Sequence, residues 1–438
     1  MRLPPTAAPA LQTTRFPQYL MLREKISEWK TIGADPALLS AIQHGVRLCL
    51  SDLPFSPPNA RERNSVEAVG ELEKWVEEGA VRVLTKVEKA RTRFWTPIFT
   101  VPKSSGGLRL ITDLRNLNAK LTVDRWRGDT FETILSVCHL NPALCWGATL
   151  DMRSWFHNLA LHPSARRWAR VKVGSVAYEM QALPFGLSAS PLWSHKMATP
   201  IVAWLREQGH NIFWYVDDVL VLAASEEEAL VSVTRVLQLL ERLGVWVNLK
   251  KSAPTPSQTV LFLGMTLNLR SREVYPTPAR RATFCLQLKE LRRSRTCFLH
   301  AVEKFGGLMN WMERGWPALK GFSRVLARLT AQLIRSSGRF SRVRSPPDLQ
   351  RLLYLVYSAT ADETPATLFS PRGPVGSGNG RLRFYVGRGP HFSGRGGFYC
   401  PRGVLATRGC PSHYLEGDGG GSPVPPAPLA QAAFGGRH

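Results

Sequence analysis

The sequence has no paired cysteine motif and no long apolar run. Its seven cysteines are scattered and no two form a CxxC pair, so a zinc site is unsupported. The odd cysteine count and the absence of a visible secretory leader predict an intracellular, reducing environment. The apolar runs have the length of strands, far below what a membrane-spanning helix needs, so we expect no membrane partner.

Acidic residues are also scarce. The chain has 33 Asp and Glu against 57 Lys and Arg, a formal net charge of +24. A phosphate backbone rewards clustered positive charge through counterion release, so this excess favours a nucleic-acid partner. On charge alone, a basic protein without nucleic-acid function remains the alternative. With 438 residues, 44% of them hydrophobic, the chain is long and apolar enough for two or three folded domains.

The first 60 residues are predicted to form a helical leader followed by a linker. Residues 18–50 show a helical pattern, whereas 54–59 carry three prolines. The candidate buried positions of the leader are Trp29, Ile32, Leu38, Leu39, Ile42 and Val46.

Residues 61–270 are predicted to form a mixed α+β domain. Strands at 98–101 and 108–111 flank a Ser-Ser-Gly-Gly turn, which predicts a β-hairpin. A helix is expected at 188–208, broken near Pro200 or divided in two. Further strands are predicted at 147–151, 171–180, 211–216, 219–223 and 245–248.

The C-terminal part changes character twice. Residues 270–344 contain 17 Lys and Arg and 4 Asp and Glu, a net charge of +13, in a mainly helical pattern. We therefore predict a basic helical domain at 271–345. After about residue 364 the chain is rich in Gly, Pro and Arg without periodicity, which predicts a disordered tail.

Three carboxylates carry the chemical prediction. Asp217 and Asp218 lie between two apolar strands, at the tip of a predicted hairpin, where their charges repel each other. Bound Mg²⁺ would offset that repulsion and bind substrate phosphate, although a solvated Asp-Asp turn is the simpler alternative. Asp151, at the end of another strand, would complete a two-metal clamp, with the ions about 3.5–4 Å apart.

Residues 94–269 resemble the reverse transcriptases of retroelements, motif by motif and in order. The matching segments are RLITDLRNLN at 109–118, LDMRSWFHNLALHP at 150–163, LPFGLS at 183–188, YVDD at 215–218, the segment 248–252 and FLG at 262–264. The resemblance implies a right-hand polymerase fold with fingers and palm at 61–270 and a thumb or connection at 271–345. It also implies RNA-directed DNA synthesis on an RNA or DNA template with a primer and deoxynucleoside triphosphates.

The resemblance also implies residue roles. Asp151, Asp217 and Asp218 would hold two Mg²⁺ ions, with Mn²⁺ as an alternative, and Asp218 is usually the less critical of its pair. The implied nucleotide-binding residues are Lys103, Arg109, Phe156 as a steric gate, Phe185 and Gly186. Without the family context, these residues would be interpreted as solvated charges, core aromatics or an ordinary turn glycine. Either Lys250 or Lys251 would be the late-palm lysine that protonates pyrophosphate. The primer grip would be Phe262, Leu263 and Gly264.

Three features refine or complicate this prediction. The leader resembles that of tyrosine-recombinase (DIRS-type) retrotransposon polymerases, through Trp29 and the segment 32–36. Residues 357–367 resemble the start of an RNase H domain, with Asp362 as its first carboxylate, so 346–438 is predicted to be a degenerate RNase H start plus tail. Trp155 replaces a small residue beside the primer and incoming sugar, and we expect it to crowd the site.

Three hypotheses follow. The first is an active reverse transcriptase, inside the cell and with the nucleus as a candidate site of action, since the DNA product must reach a genome. The second is a catalytically impaired retroelement remnant that binds nucleic acid without polymerising. The third is an RNA-binding protein acting through its basic domain and Gly-Arg tail. The sequence predicts no oligomeric state.

Overall fold

A computed structural model describes residues 17–51, 67–102, 108–360 and 366–367 of the chain. The predicted linker at 54–59, Asp362 and the C-terminal tail lie outside the described residues. The described leader is helical, as predicted, and it contains α1 (Gln18–Glu24), α2 (Ile26–Thr31) and α3 (Pro36–His44). Five of its six predicted core residues are buried, and Leu39 is partly buried.

The leader packs against elements far away in the sequence. The Trp29 indole is fully buried, and its Nε1 donates to the Leu243 carbonyl at 3.1 Å. Val46 donates its N–H to the Ala160 carbonyl and accepts a hydrogen bond from the His162 N–H. The leader is therefore part of the main hydrophobic core.

The second segment contains the predicted hairpin. Strands β2 (Ile98–Pro102) and β3 (Leu108–Thr112) pair antiparallel, with Ile98 opposite Thr112. The turn at 103–107 lies outside the described residues. The elements here are α4 (Glu67–Glu77), β1 (Val81–Val83), α5 (Lys86–Arg91), β2 (Ile98–Pro102) and β3 (Leu108–Thr112).

The central segment forms the sheet that holds the aspartates. Its elements are α6 (Arg115–Asn118), α7 (Phe131–Leu140), β4 (Trp146–Asp151), α8 (Pro163–Arg166), β5 (Arg170–Val173), β6 (Val176–Met180), α9 (Ser190–Glu207), β7 (Asn211–Tyr215), β8 (Asp218–Ala223), α10 (Glu226–Arg242) and β9 (Ala253–Ser257). The central sheet has the order β7-β8-β4-β9, and a smaller sheet has the order β1-β6-β5.

Strand β8 is buried on both faces, which explains its continuous apolar sequence. Successive side chains of a strand point to opposite faces. Val219 and Val221 pack into the core that includes the leader, whereas Leu220 and Leu222 pack into a second core with α7. Burial of both faces fixes the strand's register, because a one-residue slip would exchange the two sets.

Two secondary-structure predictions for this segment were wrong. Helix α9 runs unbroken through Pro200, which is buried. Packing of the helix offsets the hydrogen bond that a proline cannot donate. The segment 245–248 is not a strand, since its contribution to pairing is one bridge, between Val247 and Met152.

The remaining elements form a hairpin sheet and a helical bundle with its own core. They are β10 (Thr259–Phe262), β11 (Met265–Asn268), β12 (Glu273–Pro276), α11 (Pro278–Arg293), β13 (Thr296–Phe298), α12 (Leu299–Met312), α13 (Phe322–Ser337), β14 (Arg342–Arg344), α14 (Pro347–Ala359) and β15 (Ala366–Thr367). Helix α14 buries Leu349, Leu353 and Val356 in the bundle core. The bundle thus continues to Ala359, beyond the predicted end at 345, and the predicted RNase H start overlaps its last helix. Among the described helices, none is long and apolar enough to span a membrane.

Candidate active site

The three predicted aspartates meet at one end of the central sheet. Asp151 ends β4 and is paired directly across the ladder with Asp218, the first residue of β8. Asp217 lies in the turn between β7 and β8, and its carbonyl accepts a hydrogen bond from the Met152 N–H at 2.8 Å. Asp217 is exposed, whereas Asp151 and Asp218 are half-buried. Carboxylates directly opposite each other destabilise a sheet, so this arrangement favours a bound cation.

The turn that contains Asp217 has a strained backbone, which two side-chain hydrogen bonds stabilise. Val216 has φ 54°, which is costly for a β-branched residue. Its carbonyl accepts hydrogen bonds from Trp214 Nε1 at 2.8 Å and from Ser194 Oγ at 3.5 Å. Strain of this kind persists where the surroundings over-determine the conformation, as these two donors do.

The structure places Trp155 in the core beneath this turn. The indole is 2% exposed, its Nε1 donates to Ser194 Oγ at 2.5 Å, and its ring lies 5.1 Å from that of Trp214. Trp155 therefore contacts both residues that hold the Val216 carbonyl. The expectation that it crowds the substrate site was wrong, because the side chain points into the protein.

Burial and like charge disfavour ionisation of Asp218. The pKa of Asp218 is raised to about 6, first by burial and then by the negative charges of Asp217 and Asp151, while Lys251 opposes the rise. Of the two candidate lysines, Lys251 is therefore the one whose positive charge lowers the pKa of Asp218, and Lys250 is not. Both lysines are exposed.

A short turn holds Lys251 close to Asp151. The Asn248 N–H donates to the Asp151 carbonyl at 2.8 Å, and Ser252 Oγ donates to the Asn248 carbonyl at 2.9 Å. Ser252 Oγ also accepts the Asp151 N–H at 2.9 Å. Sequence reasoning did not assign Ser252 this role, although the segment 248–252 was among the motifs.

Hydrogen bonds join the predicted nucleotide-binding turn, in the motif at 183–188, to residues 112–118, which include the end of the β2–β3 hairpin. Gly186 has φ 89°, and a Cβ there would lie 3.0 Å from the Thr112 carbonyl, so glycine is required. Asn118 Nδ2 donates to the Gly186 carbonyl at 2.8 Å, and its Oδ1 accepts the Ser188 N–H at 2.8 Å. Thr112 Oγ1 donates to the Phe185 carbonyl at 2.7 Å. Asn118 and Thr112 were part of a recognised motif, but their clamping role could not be inferred without the fold.

Phe156 and Phe185 lie side by side above this clamp. Their rings are 5.2 Å apart in an edge-to-face arrangement, and Phe185 is exposed. His157 and Trp75 support Phe185 from the protein side, with ring separations of 5.5 and 6.4 Å. Lys103 lies outside the described residues, as does the side chain of Arg109, whose backbone pairs with Val101 in the hairpin.

The three predicted primer-grip residues form the tight turn between β10 and β11. Leu263 and Gly264 have φ values of 51° and 76°, and Phe262 pairs with Met265. Positive φ at both central residues is the pattern of a type I′ turn. A Cβ on Gly264 would clash with Arg280 of α11, so a basic side chain of the bundle lies directly against this turn.

The donor set fits a magnesium site that the substrate would complete. Among the residues described, no group of three or more His, Cys, Asp or Glu side chains is arranged so that it could hold a metal ion by itself. Mg²⁺ is, however, often held by only one or two carboxylates, with water and substrate phosphates as the other ligands. Hard carboxylate oxygens on paired strand ends match that chemistry, and one of them, on Asp218, has a pKa raised first by burial and then by its anionic neighbours.

His157 should give the fold a specific acid sensitivity. Its Nδ1 is buried and has no hydrogen-bond partner within the described part of the chain, and burial lowers the pKa of His157 to about 4 from 6.5. The unfolded chain therefore binds a proton that the folded chain excludes as pH falls from 6.5 to 4, and stability falls by about 3 kcal/mol across that window. Chemical denaturation of wild type and His157→Leu between pH 4 and 7 should show this loss in the wild type and its reduction in the variant. Equal pH slopes would contradict the prediction.

Comparisons with known proteins agree with the geometry. Residues 101–267 match the family model described as reverse transcriptase (RNA-dependent DNA polymerase). The retrovirus-related Pol polyprotein from transposon 412 of Drosophila melanogaster is 30% identical over 156 residues, covering 34% of this chain and 12% of that protein. The putative enzymatic polyprotein of Cassava vein mosaic virus is 23% identical over 231 residues, covering 52% of this chain and 34% of that protein. The chain thus spans about a third or less of these relatives.

The fold has counterparts among solved structures. The foamy viral protease-reverse transcriptase in complex with double-stranded DNA superposes with a TM-score of 0.52 at 18% identity, covering 79% of this chain and 60% of that one. Its complex with an RNA/DNA hybrid gives the same TM-score over 78% of this chain and 46% of that one. The predicted α+β polymerase fold is confirmed, and residues 101–267 are similar to the reverse transcriptase domains of retroelements.

Proposed function

We propose that the chain is an RNA-directed DNA polymerase that extends a primer 3′-hydroxyl with deoxynucleoside triphosphates on an RNA or DNA template. The carrying observation is the pairing of Asp151 with Asp218 across the β4–β8 ladder, with Asp217 in the adjacent turn. The bundle from 278 to 359 and its excess positive charge support a thumb that contacts duplex phosphates without reading bases.

The side chains at the site have separate tasks. Asp151, Asp217 and Asp218 would hold two Mg²⁺ ions, or Mn²⁺ in their place, which when bound lower the pKa of the attacking hydroxyl and stabilise the leaving pyrophosphate. Lys251 would donate a proton to pyrophosphate, and its electrostatic interaction with Asp218 supports this role. Phe156 would act as the steric gate under the incoming sugar, with Phe185 beside it, and Gly186 would let the backbone approach the nucleotide. The contact between the two rings and the positive φ of Gly186 support these roles.

Primer extension tests the proposal directly. Purified protein receives an RNA template annealed to a DNA primer, deoxynucleoside triphosphates and Mg²⁺, beside an Asp217→Asn control. We expect extension by the wild type and none without divalent metal. Wild-type protein that binds the duplex but adds no nucleotide would overturn the proposal and leave a nucleic-acid-binding remnant.

Phe156→Val should relax discrimination against ribonucleotides. The phenyl ring would overlap a 2′-hydroxyl, and such overpacking costs about 1–3 kcal/mol, so its removal should improve relative ribonucleotide use roughly tenfold to a hundredfold. The measurement is the ratio of kcat/KM for deoxyribonucleotide and ribonucleotide. Phe99→Val, on strand β2, is the control. An unchanged ratio in Phe156→Val would exclude Phe156 as the gate.

The proposal also covers the retroelement subfamily, the RNase H segment and the cellular compartment. A DIRS-type element is supported by the leader motif around Trp29, which the fold uses to dock the leader on α10. A truncated RNase H is supported by the lack of a second and third carboxylate motif after Asp362 in the sequence. We propose an intracellular site of action, with the nucleus as the candidate compartment because the DNA product must reach a genome.

A further inference from the structure

Two large aromatic side chains are exposed at one end of the helical bundle. Phe298, at the end of β13, is 46% exposed, and Phe340, between α13 and β14, is 73% exposed. His300 lies between them, with ring separations of 5.5 Å to Phe298 and 5.8 Å to Phe340. We name these three rings, together with Arg339 and Arg342, the aromatic platform.

The strand register explains why the platform faces outward. Strands β13 and β14 pair antiparallel, with Phe298 opposite Arg342 and Cys297 opposite Val343. Cys297 and Val343 pack into the bundle core, so Phe298 and Arg342 lie on the other face of the ladder. Exposure of Phe298 is thus set by a register that its buried neighbours fix, and it is not fraying of a chain end.

An arginine guanidinium group lies near each of the two exposed rings. The Arg342 guanidinium lies 5.7 Å from the Phe298 ring centre, and that of Arg339 lies 5.9 Å from the Phe340 ring centre. Arg342 Nε also donates to Thr296 Oγ1 at 3.0 Å, which fixes its orientation over the ladder. The platform therefore combines rings and fixed cations on one surface, which a purely structural aromatic cluster does not need.

The charge around the platform selects one class of ligand. Segments 291–304 and 335–346 contain eight Lys and Arg and one acidic residue, Glu303, which pairs with Arg339 at 2.7 Å. The chain's own C-terminal segment is also basic, so charge disfavours it as the occupant. Aromatic rings interleaved with arginines bind unpaired nucleotides, since any base can stack and the cations contact phosphate.

We propose that the aromatic platform binds a single-stranded stretch of RNA or DNA, outside the polymerase site. The site is new relative to the proposed function and does not depend on it. Stacking on Phe298 and Phe340 supplies sequence-tolerant affinity, and the arginines make binding sensitive to salt.

Binding and crosslinking test the platform together. Fluorescein-labelled single-stranded oligouridylate and oligothymidylate are titrated by anisotropy, and 5-iodouracil versions are crosslinked by light and mapped by mass spectrometry. Stacking is worth about 1–3 kcal/mol per base, so Phe298→Ala/Phe340→Ala should weaken binding about tenfold or more. Crosslinks at 296–300 and 339–344 should be lost. Tyr354→Ala, an exposed aromatic elsewhere on the bundle, should bind as wild type.

Two results would overturn the inference. Unchanged affinity and crosslinks in the double variant would show that the platform does not bind nucleic acid. A changed oligomeric state with unchanged binding would assign the platform to a second copy of the chain. Thermal unfolding and primer extension on a duplex with a single-nucleotide template overhang are measured in parallel, and we expect neither to change. If the wild-type protein crosslinks at the platform but extends no primer, the polymerase proposal is rejected and the platform proposal stands.

Discussion

Asp217→Asn should reduce primer extension by about a thousandfold while leaving the fold and duplex binding intact. Asparagine keeps the shape of the side chain in an exposed turn, so the Met152 hydrogen bond to the backbone carbonyl survives. What would be lost is the negative charge of a carboxylate that would hold the metal ions, whose positive charge would stabilise the transition state. That stabilisation amounts to several kcal/mol, and a thousandfold corresponds to about 4 kcal/mol. Single-turnover extension rates at saturating nucleotide provide the measurement.

Asp218→Asn is the internal comparison. Asp218 is half-buried, whereas Asp217 is exposed. Because the family resemblance implies that Asp218 is the less critical of the pair, we expect a smaller loss than for Asp217→Asn. Extension that survives Asp217→Asn at wild-type rate would refute the site assignment, even if the protein proved to be a polymerase.

Trp155→Ala should destabilise the protein by about 3–5 kcal/mol, the usual cost of truncating a fully buried large aromatic. The indole packs against Trp214 and hydrogen-bonds Ser194, and these two residues hold the Val216 carbonyl in the turn that contains Asp217. Activity should therefore fall in the fraction of protein that remains folded. Denaturant unfolding and active-site titration measure the two effects separately.

Two variants separate the parts of the Trp155 role. Trp155→Phe keeps a ring but removes the N–H donor, and its cost should be about 1–3 kcal/mol for the Ser194 hydrogen bond and the lost volume. Trp204→Ala removes a partly buried tryptophan elsewhere on the same core, and should reduce stability without changing turnover per folded molecule. A Trp155→Ala protein that is as stable and as active as wild type would contradict this role of the indole.

Local sequence patterns predicted much of the palm. The β2–β3 hairpin, strands β4, β7 and β8, and the position of three carboxylates at strand ends follow from short-range alternation and turn chemistry, and the structure has them. Pro200 and the segment 245–248 were misjudged because local propensity was overridden by tertiary packing. Helix α14 was assigned to another domain because its role depends on a core built from α11 to α13.

The direction of a side chain is the hardest property to infer from a motif. Trp155 follows Ser154, which has a left-handed φ of 46°, and the chain then enters a 3₁₀ turn that directs the indole inward. A family pattern specifies which residue is adjacent in sequence to the gate, but not which face it occupies. The same limit applies to Asn118, whose motif was recognised while its contact with the turn at Gly186 was not.

The leader's anchoring has a consequence for the order in which the chain can fold during synthesis. Trp29 leaves the ribosome early, yet its hydrogen-bond partner Leu243 lies 214 residues later. Arg242 likewise pairs with Glu28 at 2.6 Å across the same sequence distance. Contacts of such separation carry a large loop-closure cost and slow folding. The leader must therefore wait, with its tryptophan unburied, until α10 has been made, so a segment that is synthesised before α10 reaches its native contacts only after it.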